Sequence, residues 1–132
     1  MLNKEDDFMK NIISKTLVIV PVLLISSMSF ADCDGNLNQT DLNMCTAQEY
    51  KKADQKLNKL YQAYSAKLSS AERKQFTAIQ KYWVNYKDKD CQYTAQGYKG
   101  GSMYPTVLNT CLTEKTEDRI DDLEDYLEEQ NR

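Results

Sequence analysis

Four cysteines, Cys33, Cys45, Cys91 and Cys111, stand in a chain of 132 residues that has no histidine. This combination restricts the fold more than any other feature. An even number of cysteines in a short chain reads as a disulfide framework when the chain is exported, and as a metal or redox site when it is not. Zinc sites place cysteines two to four residues apart, usually with histidine. Here the gaps are 11, 45 and 19 residues. Two disulfides are therefore expected, in an oxidising compartment, and in a body small enough that each bridge stabilises it by roughly 2–4 kcal/mol.

The N-terminal segment carries the matching export signal. Lys10 and Lys15 precede an apolar run from Thr16 to Phe30, and Ser29-Phe30-Ala31 offers small residues where a signal peptidase reads. The run is short for a membrane span. Residues 1–31 are accordingly read as a signal peptide cut after Ala31, with no stable membrane anchor after cleavage. The opening residues MLNKEDDF are acidic, unlike a signal-peptide n-region, so Met9 is the better translation start. An uncut anchor competes with this reading, but no basic stop-transfer flank follows. Asp32 precedes Cys33 where a lipoprotein signal needs a small residue, so Cys33 is not read as a lipid attachment site. Residues 32–132 form one domain, and the lysine- and asparagine-rich composition points to a bacterial periplasm or to secretion. Asn38-Gln39-Thr40 is a glycosylation sequon, relevant only in a eukaryotic host.

The domain reads as all-α. From about Thr40 to Leu68, residues Leu42, Cys45, Tyr50, Ala53, Leu57, Leu60, Tyr61, Tyr64 and Leu68 recur at steps of mostly three and four, the period of one helical stripe. Thr40 is the expected N-cap, with Asp41 in the first turn. Lys51, Lys52, Gln55, Lys56 and Lys59 form the wet face. A second helix starts at Ser69-Ser70, where Ser69 and Glu72 have capping-box spacing. Its expected stripe is Phe76, Ile79, Trp83, Tyr86 and Asp90 or Cys91. The short connection folds these helices into an antiparallel hairpin. The one clear loop runs from Thr94 to Ser102 and holds three of the chain's four glycines. A third helix, from about Tyr104 to Glu129, has Pro105 in its first turn, where proline is tolerated. Val107, Leu108, Cys111, Leu112, Ile120, Leu123 and Leu127 face inward, and its second half is acidic. The hairpin brings Cys45, Cys91 and Cys111 to one end. Three connectivities are open. The local pairs Cys33–Cys45 and Cys91–Cys111 are favoured, the second closing the glycine loop.

The chemistry open to such a chain is narrow. Without histidine there is no Ser-His-Asp or Cys-His mechanism and no two-histidine zinc motif. No phosphate-cradling glycine pattern occurs. The acidic run of helix three fits a solvated face better than an acid–base pair, which needs a buried setting to separate two pKa values. The chain is read as a binding protein, not an enzyme, with no cofactor. Asp32, Asp34, Asn36 and Asn38 have the spacing of the first ligands of a calcium loop, but the turn glycine is displaced to Gly35 and Asn43 stands where the bidentate glutamate belongs; no metal site is assigned. Leaving out the three lysines and three acidic residues of 1–31, the domain has 14 basic and 17 acidic residues and no dense basic patch, which disfavours nucleic acid. Tyr98 and Tyr104 flank the glycine loop. Tyrosines beside an adaptable loop suit a protein contact, so Tyr98, Lys99, Gly100, Gly101, Ser102 and Tyr104 are the candidate partner-binding residues. The bland alternative is that these rings only cover the disulfide end.

Three blocks give the sequence a family resemblance. The first is Met44-Cys45-Thr46-Ala47 with Tyr50 and Ala53 to Tyr61. The second is Gln80 to Asp88 leading into Cys91. The third is Gly100-Gly101-Ser102, then Cys111, Thr116, Arg119 and Leu123. Together they resemble the LprI-type lysozyme-inhibitor family of small secreted bacterial proteins. The resemblance implies a helical, disulfide-linked fold and a protein partner, a basic lysozyme. An acidic chain meeting a basic enzyme gains association rate from long-range attraction. Lys87 departs from the pattern, which usually has arginine there. Lysine keeps the charge and loses the planar fork. The competing functional reading is an envelope adaptor or stress-related interaction module without lysozyme activity.

Overall fold

The computed structural model describes Cys33 and residues 36–132; the expected signal peptide lies outside them. Three long helices account for the fold: α1 (Gln39–Lys67), α2 (Ser70–Ala95) and α3 (Tyr104–Gln130), with a single 3₁₀ turn at Gln96–Tyr98. No strand occurs among the described residues. No helix among them is long and apolar enough to cross a membrane.

The helix ends follow their local chemistry. The N-cap of α1 is Asn38, not Thr40: the Asn38 side chain accepts from the Asp41 N–H at 3.0 Å, so the helix begins one residue before Thr40. Asparagine outranks threonine as a cap. The capping box of α2 forms as expected. Ser69 Oγ accepts from the Glu72 N–H, and the Glu72 carboxylate accepts from the Ser69 N–H at 2.9 Å. Hydrogen bonds from Ser69 to the carboxylate hold the Glu72 pKa below its ordinary value, the one from the Ser69 side chain being the largest cause and the one from its backbone N–H the next. Pro105 sits in the first turn of α3.

The helices run up, down, up. Antiparallel α1 and α2 meet through Tyr61 and Thr77 (2.9 Å between hydroxyls) near the turn, and through Lys87 and Tyr50 farther along. Parallel α1 and α3 are tied by Gln39 to Thr106 at one end, Lys56 to Glu124 in the middle and Lys67 to Asn131 at the other. The closest backbone pairing is α1 with α3. The α1–α2 hairpin meets largely through long side chains instead.

The apolar core fills the turn end. Ala53, Leu57, Leu68, Phe76, Ile120 and Leu123 are buried together, with Leu60, Tyr61, Tyr64 and Trp83 packed on them. Phe76 lies between aromatic neighbours, stacked on Tyr61 at 5.3 Å and edge-on to Tyr64 at 4.9 Å. Such pairs add about 0.5–1.5 kcal/mol beyond area burial.

The expected stripe of α2 is rotated. Ile79 and Tyr86 are exposed, at 55% and 57%. The inward line is Phe76, Gln80, Trp83, Lys87 and Cys91, and Lys87 is only 3% exposed. Periodicity alone assigns a lysine outward, whereas here the rings supply its partners. Lys87 Nζ donates to the Tyr50 hydroxyl at 2.7 Å and lies 4.9 Å and 5.2 Å from the Tyr50 and Trp83 ring centres. Arg119, also buried, approaches Trp83 from α3 at 6.0 Å, donates to Gln80 and is paired with Asp122. A cation–aromatic layer therefore separates the apolar turn end from the disulfide end. Hydrogen bonds and ring faces offset the cost of taking these cations out of water.

Candidate functional site

The disulfide end is built from the ends of all three helices. Cys33 is bonded to Cys45 and Cys91 to Cys111, with Cα–Cα separations of 5.9 Å and 5.5 Å. These are the favoured local pairs. Cys91 and Ala95 are fully buried, so the second bridge anchors the last turn of α2 to the first turns of α3. The sulfurs of Cys33 and Cys45 lie near the Glu49 carboxylate. Because those sulfurs are bonded to each other, they offer no thiolate to a metal.

The segment between α2 and α3 is shorter than the sequence suggested, because α2 continues to Ala95 and the 3₁₀ turn follows at once. Consecutive turns fill the remainder. The Lys99 N–H donates to the Gln96 carbonyl, the Gly101 N–H to the Tyr98 carbonyl at 2.9 Å, and the Tyr104 N–H to the Gly101 carbonyl. Gly100 has φ +86°, a backbone conformation that only glycine adopts without strain. A Cβ on Gly101 would press on the Tyr98 carbonyl at 3.3 Å.

The loop is also held from α1. Asn43 Nδ2 donates to the Ser102 carbonyl at 3.0 Å. Thr106 donates to Asn43 Oδ1, and Gln39 Nε2 donates to both Thr106 and Asn43. Six residues were candidates for partner binding. Tyr98, Lys99, Gly100, Gly101 and Ser102 lie together and exposed on this loop. Tyr104 differs: it is half-buried as the first residue of α3. Met44, Tyr93 and Met103, exposed at 57%, 70% and 47%, stand at the same end and were not singled out from the sequence. The signal for them is their place off the inward stripe.

The buried polar residues among those described are Thr46, Lys87, Thr116 and Arg119. No carboxylate is among them. What the end offers is a pinned, solvent-facing loop with tyrosine and methionine around it.

Fold and site together define a small disulfide-stapled three-helix domain that presents a fixed loop at one end. Residues 32–123 match the family described as lysozyme inhibitor LprI, and the chain belongs to that family. It is also similar to an uncharacterized protein of Rhizobium meliloti (strain 1021), 30% identical over 110 residues covering 74% of this chain and 79% of that protein. No solved structure matches.

Proposed function

We propose that this chain is an exported binding protein that inhibits a lysozyme by protein–protein contact, and that the contact is made by the loop Tyr98–Ser102 with Tyr104 supporting it. Membership of the lysozyme-inhibitor family supports the activity. The disulfides fit an extracytoplasmic place of action. The observation that carries the site is the fixing of the loop by one bridge and by Asn43. A loop already held in one shape loses little conformational freedom when it enters a cleft, and preorganisation of this kind strengthens binding. Glycines let the backbone approach closely, while Tyr98 supplies a rigid ring. The acidic face of α3, exposed at Glu117, Asp118, Asp121, Glu124 and Asp125, supplies long-range attraction for a basic enzyme.

Cell-wall turbidity with the oxidised protein tests the reading. Lysis slows as the protein is added, and Tyr98→Ala removes most of the effect while leaving the helical signal intact. Undiminished lysis at tenfold molar excess over several lysozyme types rejects inhibition. Slowed lysis that Tyr98→Ala leaves unchanged moves the contact off the loop.

A further inference from the structure

The outer flank of α2 is the most tyrosine-rich exposed helix face among the described residues. Ile79, Tyr82, Tyr86 and Tyr93 all point to solvent, at 55%, 76%, 57% and 70% exposure. With Lys89 they occupy steps of three, four, three and four, a heptad seam on the side of the helix away from the core stripe. Of the eight charged residues of α2 only Lys89 falls on this seam. One edge of the seam continues with Ala78, Asn85 and Gln92, seven residues apart, small or uncharged and exposed. A wet helix face normally carries charge, as α1 does with its lysines. Depletion of charge with enrichment of tyrosine is the composition of an interface core.

We propose that this flank is a self-association surface, on which α2 of a second copy of the chain packs antiparallel. The seam is complementary to itself in that arrangement. Antiparallel coiled-coil layering sets Tyr82 of one copy opposite Tyr86 of the other, twice, around the two-fold axis. Ile79 then meets the aliphatic stem of Lys89, whose ammonium reaches past it to water, and Gln75 meets Tyr93. Along the edges Asn85 meets its own copy and Ala78 meets Gln92, so no like charges face each other. Asp90, at the other edge, is already neutralised by Lys115 at 2.8 Å.

Tyr86, one of the two central pairs, is held in advance: Lys115 Nζ lies 5.0 Å from its ring centre and 3.4 Å from its hydroxyl. Its ordering cost on association is correspondingly reduced. One helix face buries less than the standard interface, placing the pair at the small end, below roughly 1,200 Å² in total, where association is reversible. The arrangement sends the two glycine loops to opposite ends, leaving both free.

Sedimentation equilibrium of the oxidised protein tests this. The expected result is a concentration-dependent monomer–dimer equilibrium that Tyr82→Glu with Tyr86→Glu weakens at least tenfold, at unchanged helical content of the monomer. Lys51→Glu, on the wet face of α1, leaves the equilibrium where it was. Ala78→Cys mixed with Gln92→Cys forms a covalent heterodimer under mild oxidation, and Asn85→Cys forms a homodimer. A wild-type chain that stays monomeric throughout the accessible concentration range overturns the proposal. A dimer insensitive to both glutamates, or one whose 78 and 92 variants do not cross-link, overturns the surface.

Discussion

The two ends of the bundle are held by different physics. At the turn end, Leu57, Leu68, Phe76, Ile120 and Leu123 bury one another and are ringed by Tyr61, Tyr64 and Trp83. At the other end the tightly packed groups are Thr46, Cys91, Ala95 and Leu112, and two covalent bridges do what apolar volume does elsewhere. An end held by bridges and short turns can leave its loop in solvent without loosening it. An end held by packing cannot, since exposing its side chains removes the stabilisation itself. The loop proposed to meet a partner lies at the covalently held end.

Removing apolar volume gives the largest expected effect. Phe76→Ala deletes the centre of the aromatic cluster and should cost about 3–5 kcal/mol, read as a fall in denaturation midpoint. The Tyr98 loop should keep its shape in the fraction that remains folded. A loss below about 1 kcal/mol would mean that the turn end is not the main apolar store.

Opening the Cys91–Cys111 bridge by a double serine substitution should cost roughly 2–4 kcal/mol. It should also raise amide exchange selectively in residues 96–104, because the anchor of that loop is gone. If exchange rises uniformly instead, the bridge supports the whole bundle and the contrast between the ends fails.

The layer between them is probed by Lys87. Lys87→Ala removes a stem and leaves the Tyr50 hydroxyl without its donor, at about 1–3 kcal/mol. Lys87→Met, which keeps the stem, should cost less. An equal cost would assign the effect to the charge and the hydrogen bond alone.

The smallest effect is at the capping box. Ser69→Ala should cost about 1 kcal/mol and return the Glu72 pKa towards its ordinary value. In the unaltered protein this pKa is depressed on folding. The stabilisation it gives is therefore present above the ordinary carboxylate pKa and fades as pH falls through the lower folded value. A carboxyl NMR titration of Glu72 in both proteins reads the difference; identical curves would remove Ser69 as the cause.

How much was legible in the sequence differs between these regions. The turn end was largely readable: Leu57, Leu60, Tyr61, Tyr64 and Leu68 keep helical spacing, and Ser69 with Glu72 announces a helix start. That two bridges form at one end was readable from the cysteine count and the hairpin, with the local pairs favoured among three connectivities; the structure decides for Cys33–Cys45 and Cys91–Cys111. The middle layer was not. Helical spacing put Ile79 and Tyr86 on the core stripe and left Lys87 and Arg119 off it. The true stripe is rotated because Trp83, Tyr50 and Gln80 offer ring faces and an amide oxygen that burial of a cation requires. At the candidate site, the glycines marked a loop. Tyr104 was already placed at the start of the third helix, where the structure has it. That Asn43 grips Ser102 depends on a contact between residues 59 apart in the chain.

The sequence by itself determined three amphipathic helices and four cysteines expected in two disulfides, since helical period, caps and cysteine count are read from the chain alone; which of the three pairings forms was decided by the structure. Only the tertiary structure decided which helix pair packs closest, which cations are buried and which tyrosines remain in solvent. Those outcomes depend on the rotation of each helix about its own axis, and that rotation is set by the partners that distant residues provide.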